Sequence, residues 1–150
     1  MLLSGATSTA VTAAHGAIAG GGLGYIYAAD LVLAAEGAKF LTAFARLGLS
    51  GDGGGTWHLP RVIGARRAAQ AYLRNTPIEA TEALEWGLIN EIVPADELRA
   101  RAVALATELA QGPTRAFARM RALLRDAWHN DLATQLQSEI QALTATADTA

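Results

Sequence analysis

The feature that most constrains this chain is where its glycines fall. Through the first 64 residues they stand between short apolar runs and stretches that read as helix. A buried strand is a short apolar, β-branched run stopped by turn residues, and a strand-to-helix handover is where glycine is most useful. "TAVTAAHG" (9–16) reads as such a strand. Glycines 20–22 and 24 then open a small apolar helical stretch that runs to Asp30. "LVLAAEGAKFL" (31–41) reads as a strand, a turn at Glu36-Gly37 and a second short strand. A glycine-rich turn, "LGLSGDGGGTWHLPR" (47–61), follows, with Pro60 soon after it.

From there the pattern becomes helical. Residues 65–75 form a helix stopped by Asn75, Thr76 and Pro77. Residues 78–87 form another, with acids near its start and Gly87 at its end, as capping predicts. "LINEIV" (88–93) is a strand bounded by Pro94, and residues 95–112, 113–131 and 132–147 are three helices. With no internal repeat and no low-complexity linker, the expectation is one α/β folding unit. Its core spans 1–94 and its helical C-terminal region 95–150.

Composition removes several function classes. The chain has 150 residues, 51% hydrophobic and 17% charged, which suits one folded domain and not a disordered segment. A net charge of −2 leaves no basic footprint for nucleic acid. There are no cysteines and only three dispersed histidines (His15, His58, His129), so thiolate and histidine-rich metal sites are excluded and no metal is expected. No run approaches the roughly 18 apolar residues of a membrane span. The start, "MLLSGATSTAVTAAHG", lacks the positive residues of a signal peptide. The expected location is the cytoplasm, with no membrane partner.

Two features carry chemistry. The Gly20–Gly24 cluster sits where a strand hands over to a helix. There the first helical N–H groups lack intrahelical partners and favour negative charge. Neither G-x-x-x-x-G-K-S/T nor G-x-G-x-x-G fits, so a phosphate loop is not indicated. An oxyanion hole, or plain close packing of a helix on a sheet, both remain open, and spacing does not separate them. The second feature is Asp52. It either N-caps a helix beginning near Gly53 or acts as a base. Capping would lower its pKa, and burial against Phe44 and Trp57 would raise it.

"HGAIAGGGLGYIYAADLVLAAEGAKF", "LGLSGDGGGTWHLPRVIGARRAAQAYL" and "IEATEALEWGLINEIVPADEL", in that order, resemble the crotonase (enoyl-CoA hydratase/isomerase) superfamily. The resemblance implies the C-terminal part of a ββα spiral with a helical trimerisation region, hence a homo-oligomer, trimer or hexamer. It implies an acyl-CoA thioester as substrate, with CoA as part of the substrate and no further cofactor. The middle glycine of the triple, Gly21, would polarise the thioester carbonyl, flanked by Gly20 and Gly22. The family's two hydratase glutamates fall on Gly24 and Phe44, which disfavours water addition by a carboxylate pair.

Asp52 remains, at the position where isomerase branches carry a proton-shuttling acid and the chlorobenzoyl-CoA dehalogenase branch a nucleophile. The 1,2-epoxyphenylacetyl-CoA isomerase branch is the nearest in pattern, with Phe44 and Trp57 as an apolar wall. Glu79, Glu82 and Glu85 read as a solvated helix face, His58 as a packed or solvated side chain, and Arg115, Arg119 and Arg121 as a solvated face, with contact to CoA phosphates as the alternative. Complete members of the family carry a longer N-terminal segment with a second oxyanion donor, so the chain reads as shortened at both ends. One missing donor costs roughly 10²–10³ in rate. Enoyl-CoA isomerisation is therefore the first expectation. The alternatives are a silent or oligomerising remnant, a hydratase, and an acyl-CoA dehalogenase or hydrolase.

Overall fold

The computed structural model describes residues 9–147; the expectation for the extreme N-terminus lies outside them. The chain forms two compact units, one spanning Ala10–Leu105 and one taking in the residues from Ala106 onward.

The first unit is built from stacked corners. Strand β1 (Val11–Ala14) turns at Gly16 into β2 (Ala17–Ala19). A 3-10 turn, Gly20–Gly22, leads into helix α1 (Leu23–Ala28). The same path repeats: β3 (Leu31–Ala35) turns at Gly37 into β4 (Lys39–Leu41). The two passes lie in parallel register, Val11 opposite Leu31 in one sheet and Ala17 opposite Lys39 in the other. This is the expected ββα spiral. Parallel pairing needs a crossover between partners, and α1 supplies it.

β6 (Glu91–Val93) joins β3 to complete the sheet β1-β3-β6, which is parallel throughout. In the second sheet the two-residue strand β5 (Ile78–Glu79) pairs antiparallel with β4. The central position of β3 explains its unbroken apolar sequence, since a strand covered on both faces has no polar side to alternate with. Leu33 and Ala34 are fully buried.

Helices α2 (Gly55–Ile63) and α3 (Ala65–Arg74) pack on one another, and with α1, α4 (Ala80–Glu85) and the sheets they enclose the main core. Phe40 is its largest fully buried side chain. A smaller cluster joins Leu33, Ala35 and Val93 to Leu98 at the start of α5 (Leu98–Gln111).

Three of the departures from expectation bear on the sheets and the site. Residues 78–87 do not open as a helix: Ile78 and Glu79 pair with β4 first, and the helix starts at Ala80. The strand expected over 88–93 contracts to Glu91–Val93, with Leu88 and Ile89 buried in the core ahead of it. The third difference concerns Asp52. The helix after it begins at Gly55, not Gly53, and contains Pro60.

The second unit contains α6 (Thr114–Asp126) and α7 (Leu132–Ala147), which pack on each other. Asp131 caps α7 through a bond from the Thr134 amide to its carboxylate (2.8 Å). That bond holds the Asp131 carboxyl below its ordinary pKa. Neither helix contains a buried residue.

Candidate active site

The glycine triple and the Asp52 turn meet. A Cβ added at Gly53 would lie 4.0 Å from the Gly21 Cα and 3.9 Å from the Gly24 Cα. From the other side, a Cβ on Gly24 would stand 3.6 Å from the Gly53 carbonyl oxygen. That is an ordinary van der Waals distance, so the backbones at Gly24 and Gly53 are neighbours. Gly21 is exposed and lies in the first turn leading into α1, where N–H groups have no carbonyl one turn back to bond.

Asp52 is exposed and does not cap α2. The residue at the cap is Gly54, which offers no side-chain bond. The Asp52 carboxylate instead accepts a 2.6 Å hydrogen bond from the Gly53 amide. Gly53 (φ +65°) and Gly54 (φ +77°) are both left-handed, a conformation costing about 1–2 kcal/mol per residue for other L-amino acids. This double reversal delays the helix by two residues and frees the carboxylate from the cap position. The burial against Phe44 and Trp57 is not found, since Asp52 is exposed.

The two aromatic residues proposed as a wall have their own partners. Phe44, in the 3-10 turn Phe44–Leu47, stacks on Tyr72 of α3 with ring centres 6.5 Å apart. Trp57 meets His58 edge-on at 4.6 Å, and the Arg61 guanidinium lies 4.3 Å from the Trp57 ring centre. His58 is packed, as one of the two expected readings had it: its ring stacks on Tyr27 at 5.9 Å. Burial, with the nearby Arg61 charge, pushes the His58 pKa below its ordinary value, so the neutral imidazole is favoured there.

Two tyrosines that sequence reasoning passed over lie behind the turn. The Tyr27 hydroxyl is buried without a hydrogen-bond partner, and burial followed by the proximity of Tyr72 pushes its pKa far up. Burial also raises Tyr72. Both phenols therefore stay protonated, as donors. Their signal in the sequence was slight: Tyr27 shares the short α1 with Tyr25, and Tyr72 lies on a helix carrying three arginines.

Asn75 was legible as the stop of α3, and it is left-handed there (φ +50°). It does more: its side-chain oxygen accepts bonds from the Ala43 amide (2.9 Å) and the Thr42 hydroxyl (3.2 Å). These bonds hold Ala43 in a left-handed conformation (φ +65°) just before Phe44. Glu79 pairs with Lys39 at 3.1 Å on the surface. Arg115 and Arg119 are exposed and Arg121 half-buried. Among the described residues no three His, Cys, Asp or Glu side chains gather as a metal site, and no helix is long and apolar enough to cross a membrane.

With this geometry in place, comparison with known proteins gives a consistent result. The enoyl-CoA hydratase/isomerase family matches over residues 1–150. A protein named "Probable enoyl-CoA hydratase" from Rhodobacter capsulatus is 43% identical over 129 residues, 86% of this chain and 50% of that protein. The 1,2-epoxyphenylacetyl-CoA isomerase of Escherichia coli K12 is 40% identical over 129 residues, 86% of this chain and 49% of the isomerase. The crystal structure of an enoyl-CoA hydratase/isomerase from Cupriavidus metallidurans superposes with a TM-score of 0.94 at 31% identity, over 98% of this chain and 56% of that one. The chain spans about half the length of these relatives.

Proposed function

The chain belongs to the enoyl-CoA hydratase/isomerase family, and from that premise we propose that it isomerises an acyl-CoA thioester in the cytoplasm by moving a proton along the acyl chain. In this reading the Asp52 carboxylate takes a proton from the carbon next to the thioester carbonyl. The electron pair left behind moves onto the carbonyl oxygen, which the Gly21 amide receives. The same proton returns from Asp52 to the far carbon of the allylic system, and the double bond shifts with no net change in atoms. A fixed amide dipole stabilises the enolate oxygen more than the neutral carbonyl, so it lowers the barrier and not merely the ground state. The step needs a base and an oxyanion donor, with no metal and no cofactor beyond the CoA of the substrate.

The observation that carries the reading is the approach of Gly53, bonded to the Asp52 carboxylate, to within 4.0 Å of Gly21 by its added Cβ. Gly24 and Phe44 in the two glutamate positions weigh against hydration. The relative named as an isomerase supports the choice, and the one named as a hydratase makes hydration the competitor. Gly20 and Gly22 would flank the thioester. Phe44 and Trp57 are proposed acyl contacts only.

A second reading rests on the exposed apolar residues of α7. Here the chain turns nothing over and associates with copies of itself, as a trimer or hexamer, through its helical region. Isomerisation of a β,γ-enoyl-CoA, assayed with wild type and Asp52→Asn, separates the two. The isomerase reading expects turnover that drops about 10²–10⁴-fold in the variant, the range for a positioned acid–base group. No wild-type turnover supports the remnant; equal rates remove Asp52 from the mechanism. Hydrated product, free halide or free CoA points to hydratase, dehalogenase or hydrolase chemistry.

A further inference from the structure

The glycines around Asp52 serve two different purposes. Gly53 and Gly54 are left-handed; Gly51 and Gly55 are not, and any residue could adopt their backbone. One residue of α3, Tyr72, stands against both Gly51 and Gly55. A Cβ at Gly51 would lie 3.0 Å from Tyr72 Cε1 and 3.2 Å from its hydroxyl oxygen, besides 2.8 Å from Thr56 Cγ2. A Cβ at Gly55 would overlap the Tyr72 hydroxyl itself and come within 3.1 Å of Tyr27 Cε2. The Tyr72 ring also stacks on Phe44. One turn on along α3, Asn75 fixes Ala43, the residue before Phe44.

We propose that Tyr72 is a positioning residue for Asp52: its ring and hydroxyl wedge against Gly51 and Gly55 and so fix both ends of the turn that presents the carboxylate. The inference rests on Asp52 as the proton carrier for its functional meaning, though not for its geometry. The acid itself is exposed and bonded only to its neighbour's amide among the contacts described, so its side chain has little packing to place it. Placement comes instead from the backbone on either side, and both sides rest on the same phenol. Tyr27, whose ring also flanks Gly55 and stacks on His58, backs the wedge from α1.

The test needs no substrate. In the isotope-labelled full chain, the Gly53 amide proton shift follows protonation of the Asp52 carboxylate it donates to. Tyr72→Ala is expected to reduce that pH-dependent shift change to about half or less, because a charge-assisted bond depends on held geometry. Tyr72→Phe, which keeps the ring against Gly51 and Phe44, recovers most of it. Hydrogen exchange at Leu33, in the core strand, stays as in wild type, which a general loss of stability would not allow. A full wild-type response at Gly53 in Tyr72→Ala overturns the proposal.

Should Tyr72→Ala lose protection at Leu33, Gly55→Ala serves in its place, since its methyl overlaps the phenol and pushes the whole ring off the turn; a wild-type Gly53 response there also overturns it. In turnover, Tyr72→Ala is expected to lose about 10²-fold in kcat with KM little changed, the scale of a misplaced reacting group. A wild-type chain without turnover would count against the isomerase reading and leave the Gly53 result to decide this one.

Discussion

The sheet unit and the helical unit solve the problem of burial in opposite ways. In residues 10–105 the chain folds over itself in parallel passes, and Leu33, Ala34, Ala38, Phe40 and Ala83 are sealed from solvent. From Ala106 to Ala147 no residue is buried. Leu132, Leu136, Ile140 and Leu143 instead recur at helical spacing along α7 with half or more of their surface exposed. An apolar stripe of that spacing is built to face another surface. The lesson is that one unit carries its own core whereas the other brings half of one.

The comparison breaks first at Phe40. It lies between Ile18 and Ile78 across the second sheet and is fully buried. Phe40→Ala is expected to cost about 3–5 kcal/mol, the range for emptying a buried aromatic site, read as a fall in urea midpoint at unchanged slope. A loss below 1 kcal/mol, on the same scale as a surface change, would mean that the sheet unit is not held by this core. Much less is expected of α7. Leu136→Glu with Ile140→Glu should change that stability by no more than about 0.5 kcal/mol, as surface substitutions do. The same pair should shift sedimentation toward monomer if the stripe joins copies of the chain. Unaltered sedimentation would take self-association away from this helix.

Much of the first unit was legible because its rules are local. Glu36-Gly37 between two apolar runs marked a corner, Asn75 before Pro77 marked a helix end, and the three long helices followed from spacing. What was not legible depended on residues distant in sequence. Ile78 and Glu79 look helical beside Glu82 and Glu85, yet the exposed edge of β4 claims them. Nothing in "GDGGG" says which glycines serve the backbone and which make room for Tyr72.

The two aspartates before helices show the same divide. Asp131 and Asp52 both precede a helix, but of the two only Asp131 bonds into its helix, because two left-handed glycines carry α2 away from Asp52. The family resemblance gave the site its meaning. What the structure adds is that a Cβ on Gly53 would lie within 4.0 Å of the Gly21 and Gly24 Cα atoms, so the two turns are neighbours.

The measurement closest to the central claim is wash-in of solvent deuterium at the carbon beside the thioester carbonyl of an acyl-CoA, followed by mass spectrometry without requiring a double bond to move. If Asp52 exchanges that proton while the Gly21 amide holds the enolate oxygen, wild type labels the substrate and Asp52→Asn labels it about 10²-fold more slowly or worse. Equal labelling by both proteins, or none by wild type, contradicts the account.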